Sequence, residues 1–312
     1  MQGSSVAACS AAGEGAGRAA GGDAETDEER FLREAREKAV LNAQLLAARL
    51  KPTEQTTLSQ QGQVISQLLS EIAAEGDEDK LTETVSTALQ GLDLNAQFQD
   101  SSEGEQMTCG QKLAIEIIHL PQASGPFKMA LVEELVRCGL DVTAQWRDGR
   151  SLGTCGCTLL SGVFWLQGIE ESAKLELVKK VLEGGLQVNT EYVERVTKAS
   201  CGTFLMAGAT SCARLEGASK VALLQLLLEA GMDLQFPCQQ GRTASTCGSI
   251  IAQRLCSAVG TQPNHQADML LALARGGWRM EGASAGVKAH VQALLSHPDV
   301  DQSVRDQLRE VL

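Results

Sequence analysis

The chain has 312 residues, of which 43% are hydrophobic and 21% are charged, and these proportions are ordinary for a folded protein. Its formal net charge of −12, with no Lys/Arg cluster, argues against binding to nucleic acids or to anionic membrane surfaces. Only 3% of the residues are aromatic, which favours close-packed helices over a β-sandwich or barrel.

The sequence also indicates a compartment. The N-terminal residues contain no apolar core of a secretory signal, and no stretch approaches the roughly 18 apolar residues of a membrane-spanning helix. Ten cysteines in such a chain are typical of reduced thiols. We therefore expect a cytoplasmic or nuclear protein in a reducing environment.

Two segments precede the main body of the chain. Residues 1–24 are rich in Ala, Gly and Ser, a composition that predicts a disordered tail. Residues 25–52 contain an amphipathic helix with Phe31 and Leu46 near one face, and Pro52 ends it. We interpret this helix as an N-terminal cap, and a partner-binding coiled-coil helix is the alternative.

Residues 53–285 contain an internal repeat with two markers. The first marker is a Cys-Gly pair after Thr or Ser, and the second is a glycine that follows a Leu-rich helical run 29 residues later. The first-marker glycines, with Gln-Gln-Gly in the first copy, are Gly62, Gly110, Gly156, Gly202 and Gly248. The second-marker glycines are Gly91, Gly139, Gly185, Gly231 and Gly277. From the second copy onward the step is 46 residues, which predicts five stacked copies.

Each copy is predicted to contain two helices. The Thr or Ser of the first marker is an N-cap residue, and the apolar run from Leu159 to Leu166 typifies the first helix. The second helix has a period of 3.6, as in Ala173, Leu177 and Val181, and its terminal glycine suits a left-handed C′ position. The expected fold is an all-α, right-handed solenoid of about five helix pairs, closed by C-terminal capping helices over residues 286–312.

One segment carries a resemblance to a known family. Residues 130–151 read ALVEELVRCGLDVTAQWRDGRS. This segment resembles the second helix and hairpin loop of the ankyrin-repeat family, which commonly reads IVxLLLxxGADVNA followed by DxxGxT. The family's Thr-Pro-Leu-His opening is replaced here by Thr-Cys-Gly, and the unit is enlarged to 46 residues. A HEAT/armadillo-like stack of helix pairs is therefore the alternative.

The cysteines and histidines form no convincing catalytic or metal site. The ladder of Cys109, Cys155, Cys201 and Cys247 lies at the starts of successive first helices, about 8–10 Å apart, which is too far for disulfides between its members. We expect small buried thiols, no metal, no cofactor and no enzyme activity, and a cysteine-dependent enzyme is a remote alternative.

A row of aromatic residues is the most informative feature for function. Seven residues after the second-marker glycine come Phe98, Trp146 and Tyr192, and Cys238 takes this place in the last copy, beside Phe236. Packing between neighbouring loops is one interpretation. Binding is the other, since such rings are enriched at hot spots.

We therefore expect a non-catalytic scaffold or adaptor, monomeric on its own, that binds a protein or peptide on a concave face of loop tips and first helices. The predicted contact residues are Phe98, Trp146, Tyr192, Phe236, Arg147 and Arg150. The alternative is a structural subunit of a large intracellular assembly.

Overall fold

The computed structural model describes residues 89, 93–100, 105–120, 123–149, 151–258 and 260–311, all within one compact unit, Ala39–Leu312. The predicted tail, the predicted N-terminal cap and almost all of the first copy lie outside the described residues.

Copies two to five each fold as a β-hairpin followed by two helices. The strands are β1 Gln97–Asp100, β2 Glu105–Thr108, β3 Gln145–Asp148, β4 Ser151–Thr154, β5 Glu191–Glu194, β6 Thr197–Ser200, β7 Pro237–Gln240 and β8 Thr243–Thr246. The first helices are α1 Cys109–His119, α3 Cys155–Phe164, α5 Cys201–Ser211 and α7 Cys247–Leu255. The second helices are α2 Gly125–Arg137, α4 Glu171–Glu183, α6 Gly217–Glu229 and α8 Pro263–Arg275.

The last residues form a short 3-10 turn, Met280–Gly282, and two helices, α9 Ala285–Ser296 and α10 Gln302–Val311. Both helices contact α8 of the last copy. None of the helices in the described part of the chain is both long enough and apolar enough to cross a membrane.

The predicted all-α class is wrong, because the hairpins form one eight-stranded antiparallel sheet in the order β1 to β8. Within a hairpin all four residues of a strand are paired, as in Trp146 with Gly153. Between hairpins only one or two residues are paired, as in Leu152 with Val193. The loops that the sequence placed between helix pairs thus satisfy their backbone groups by strand pairing.

Both predicted helix ends are confirmed in copies two to five. Each first helix begins after a Thr or Ser whose hydroxyl oxygen accepts a backbone N–H from the first turn, as Ser200 accepts from Thr203. The second-marker glycines after the second helices have positive φ, for example +100° at Gly185, a conformation that strains any side chain with a Cβ.

Lysines at one repeat position donate to carbonyl groups at the C-terminal ends of the first helices in copies two and three, and the lysine of copy four, Lys220, donates to the Thr261 hydroxyl at 3.1 Å. Lys128, Lys174 and Lys220 are 46 residues apart, and the exposed fraction of Lys174 is only 2%. The Lys174 ammonium donates to the carbonyl oxygens of Phe164 and Leu166, at 3.1 and 2.9 Å. Burial lowers the pKa of all three lysines. Phe164 is the last residue of α3 and Leu166 lies two residues beyond it, so the ammonium satisfies carbonyl groups at the C-terminal end of this helix.

Side-chain amides join the loops before successive hairpins. Asn189 donates to the carbonyl oxygen of Gly231 and accepts from the backbone N–H of Asp233, each at 2.8 Å. Asn95 makes the equivalent two bonds with the loop of copy three. At the corresponding position Thr143 bonds only within its own loop, to Asp141.

Candidate functional site

Two of the predicted aromatic residues lie together between the sheet and the first helices. The ring of Tyr192 stacks on Phe204 of α5, with centroids 3.8 Å apart and planes 22° apart. Trp146 meets Tyr192 edge-on, at 6.3 Å and 77°. The indole N–H of Trp146 donates to the hydroxyl of Thr158 on α3 at 3.0 Å. Only 7% of Tyr192 is exposed, so its ring mainly holds its hairpin on α5.

Strand alternation explains this placement. Trp146 and Tyr192 occupy the same position of β3 and β5, so both face the first helices. Cys238 occupies this position in β7 and is buried with Ala199 and Cys247. Phe236 packs against the same cluster and is half-buried.

The remaining predicted contact residues are not brought to this place. Arg147 is exposed and, one residue after Trp146, lies on the other face of β3. Phe98 belongs to β1, where only its backbone is described, and Arg150 lies outside the described residues.

A groove runs between the sheet and the first helices of copies four and five. Its cavity volume is about 230 Å³. The sheet contributes Glu194, Thr197, Ala199 and Gln240. The helices contribute Thr203, Phe204, Ala207, Gly208, Ser211, Ile250 and Arg254. Strands therefore line the groove on one side, and first helices line it on the other.

Small and uncharged side chains make up most of the groove lining. Its floor on α5 consists of the small residues Ala207, Gly208 and Ser211, and α5 contains no Asp, Glu, Lys or Arg. Two ionisable side chains line it, exposed Glu194 on the strand wall and exposed Arg254 on the helix wall. Such a groove offers van der Waals contact, hydroxyl and amide hydrogen bonds, and one charge of each sign.

A second cavity lies at the C-terminal ends of the first helices of copies two and three. Its volume is about 590 Å³. Its described lining includes Ile118, Lys128 and Trp165. Trp165 is 48% exposed, and Lys128 is engaged with the carbonyl oxygen of Ile118 at 3.1 Å. The exposed indole gives this edge an apolar contact surface.

The cysteine ladder is buried, and its last two members, Cys201 and Cys247, each contact the N-cap residue of the preceding copy. The Cys201 sulfur lies 3.5 Å from the Thr154 hydroxyl, and the Cys247 sulfur lies 3.2 Å from the Ser200 hydroxyl. Burial raises the pKa of Cys155 to about 12, with a smaller contribution from the charge of Asp141. A thiol with this pKa is a poor nucleophile at neutral pH.

Sequence reasoning missed the contact between Cys238 and Cys247, whose sulfur atoms are 3.2 Å apart. It compared ladder members with one another, and Cys238 is not one of them. The available signal was that Cys238 takes the place of an aromatic residue in the copy where the ladder residue is Cys247. Within the described residues, no group of three or more His, Cys, Asp or Glu side chains is placed to hold a metal ion.

No protein-family model matches the chain, and no curated protein matches its sequence.

Proposed function

We propose that this chain is a non-catalytic scaffold that binds an extended segment of another protein in the groove between the sheet and the first helices of copies four and five. The observation that carries this proposal is the groove itself, which is lined by strands on one side and by small residues of α5 on the other. Repeat proteins commonly bind macromolecules on a surface to which successive copies contribute.

The burial of the rings shifts the contact surface away from the residues that the sequence suggested. Tyr192 and Phe204 stack on each other, and Tyr192 is almost fully buried, so a partner meets the groove lining beside them. Glu194 and Arg254, which lie on separate walls, are the side chains best placed to fix the register of a bound segment.

The same observations support the wider interpretation of the chain. The order hairpin, helix, helix supports a relationship to the ankyrin-repeat family rather than a HEAT-like stack of helix pairs. The net charge of −12 supports a protein partner over a nucleic acid or a membrane. Nine described cysteines with free thiols support a reducing compartment, the cytoplasm or the nucleus.

A second candidate function is that of a structural subunit in a larger assembly. The exposed indole of Trp165 beside the cavity of about 590 Å³ favours it, because tryptophan is enriched where protein surfaces are buried together. In this case the permanent contact would involve the ends of the first helices rather than the groove.

One binding experiment separates the two candidates. Peptides are selected from a displayed random library on the intact chain, and their dissociation constants are measured by fluorescence anisotropy. Arg254→Glu reverses a wall charge and Gly208→Gln fills the floor, so each is expected to weaken groove binders about tenfold or more. Lys179→Glu, a matched charge reversal on the exposed surface of α4, should leave the affinity unchanged.

The result also locates any other binding surface. Peptides that lose affinity with Trp165→Ser and keep it with both groove variants would assign the contact to the second cavity and refute the groove proposal. Far-ultraviolet circular dichroism of each variant verifies that its fold is intact.

A further inference from the structure

Two thiols meet where the hairpin of copy five packs on the start of its first helix. Cys238 lies on β7, and Cys247 is the first residue of α7. Their sulfur atoms are 3.2 Å apart, within van der Waals contact. The exposed fractions are 4% for Cys238 and 0% for Cys247. Both thiols therefore lie in the packed interior between β7 and the start of α7.

The surroundings favour a thiolate on Cys247. Its sulfur lies 3.2 Å from the Ser200 hydroxyl, and it stands in the first turn of α7, where the helix dipole favours negative charge. Hydrogen bonds from Cys238 and then from Ser200 hold the pKa of Cys247 below its ordinary value. The pKa of Cys238 is correspondingly raised, because its thiol keeps its proton beside Cys247.

Among the described hairpins, a cysteine stands at this strand position in copy five, whereas a second thiol pair, Cys157 and Cys201, joins the first helices of copies three and four. At the position of Cys238 the preceding hairpins have Trp146 and Tyr192, whose rings pack on the first helices. The ladder residue near Tyr192 is Cys201, and the cysteine that contacts it is Cys157 of the preceding first helix. The Cys157 thiol donates to the carbonyl oxygen of Cys201 at 3.7 Å.

We propose that Cys238 and Cys247 are an oxidation-sensitive dithiol, which a hydroperoxide converts into a disulfide that ties β7 to the start of α7. The sulfur atoms need to approach by roughly 1.2 Å to reach the disulfide bond length of about 2.0 Å. Side-chain rotation supplies such a movement more readily than a shift of paired backbone.

The reaction is a two-electron oxidation of the pair. The Cys247 thiolate attacks the outer oxygen of the hydroperoxide, the O–O bond breaks, and the alcohol leaves after taking up a proton. Cys247 is then a sulfenic acid. The Cys238 sulfur attacks the Cys247 sulfur, the S–O bond breaks, and the proton of Cys238 leaves with the hydroxyl group as water. Two thiols have lost two electrons, and the peroxide has become one alcohol and one water.

The location of the pair connects it to the groove. Ala199 and Ile250 pack against the two cysteines and also line the groove. A disulfide therefore forms directly behind the wall that we assign to a protein partner. The oxidation itself does not depend on that assignment, so its test stands apart from the binding experiment.

The chain offers a convenient mass-spectrometric test. Trypsin cleaves after Lys220, Arg242 and Arg254, and the resulting peptides 221–242 and 243–254 contain only Cys238 and only Cys247, respectively. The intact chain is treated with hydrogen peroxide, alkylated in denaturant and digested. We expect the two peptides to appear joined, lighter by two hydrogen atoms than their sum, and to separate after reduction with dithiothreitol.

Two variants make the outcome decisive. Cys238→Ser should abolish the joined peptide and leave oxygen adducts on Cys247. Cys256→Ser should leave the cross-link unchanged, because the Cys256 thiol donates to the carbonyl oxygen of Ala252 and is not one of the paired sulfurs. The half-buried side chain of Cys256 is more accessible than the pair, so in the wild type it shows how far general thiol oxidation has gone. If Cys256 is oxidised while Cys238 and Cys247 are still fully alkylated, or if Cys157 and Cys201 cross-link in equal yield, the proposal is wrong.

Discussion

The hairpins of copies four and five have the same backbone arrangement, but different side chains pack them on the first helices. We call the side chain that packs the hairpin on the first helix its anchor. In β5–β6 the anchor is Tyr192, which stacks on Phe204 of its own copy and contacts Trp146 of the preceding one. In β7–β8 the anchor position holds Cys238, which touches Cys247. An aromatic anchor buries a large apolar area, whereas a thiol anchor buries little area and adds redox chemistry.

The residue opposite the anchor on the paired strand is smaller where two large rings pack together. Gly153 lies on β4 opposite Trp146, and a Cβ added there would come within 2.7 Å of both Trp146 and Tyr192. The equivalent residue on β6 is Ala199, which lies opposite Tyr192 and beside Cys238. A methyl group is accommodated where a thiol replaces the second ring. The comparison teaches that the repeat fixes the backbone while each copy sets its own packing between the sheet and the first helices.

The largest expected effect comes from removing the aromatic anchor. Tyr192→Ala should lower the free energy of unfolding by about 3–5 kcal/mol, because it leaves a cavity against Phe204 and Trp146. Cys238→Ala, at the same position of the next hairpin, should cost on the order of 1 kcal/mol. Urea denaturation followed by circular dichroism measures both values.

Tyr192→Phe is the control for this pair, since it keeps the stacked ring and should stay close to the wild type. Equal losses for Tyr192→Ala and Cys238→Ala would show that the ring contributes no more than the thiol. The contrast between the two hairpins would then be one of composition only.

A smaller effect is expected from crowding the aromatic anchor. Gly153→Ala places a methyl group against Trp146 and Tyr192, and the forced shift should cost about 1–3 kcal/mol. Ser245→Ala, at the corresponding position opposite Cys238, should change stability by no more than about 0.5 kcal/mol. Thermal unfolding of the two variants tests this, and a stabilised Gly153→Ala protein would refute the account of why glycine is needed there.

Much of the helical part of the fold could be predicted from the sequence. The spacing of 46 residues, the Thr and Ser caps and the left-handed glycines are local signals, and the corresponding helix ends are confirmed at Ser200 and Gly185. These signals work because a cap or a C′ glycine is determined by a few neighbouring residues.

The sheet could not be predicted in the same way. Each strand has four residues, too few to show alternation, and strands such as Ser151–Thr154 are not rich in β-branched residues. Pairing between hairpins joins residues of different copies, as Thr197 joins Gln240, and local patterns do not report it. The groove draws its lining from two copies, and the Cys238–Cys247 contact requires β7 to fold back on the start of α7, so neither could be read from local patterns.

The smallest effect should appear at alkaline pH and only where the anchor is a tyrosine. Burial, and then the nearby Cys157 and Glu194, raise the pKa of Tyr192 well above its ordinary value of about 10. Above this pH the unfolded chain loses the phenolic proton while the folded chain keeps it, so stability should fall by about 1.4 kcal/mol per pH unit. Tyr192→Phe should lack this contribution and become more stable than the wild type above pH of about 10.

Tyr192 is the single tyrosine of the chain, so its phenolate absorbance reports the loss of the phenolic proton directly and should rise only together with unfolding. Phenolate absorbance that rises near its ordinary pKa in the still-folded protein would mean that the ring is open to solvent, and the anchor in copy four would then differ little from an exposed binding residue.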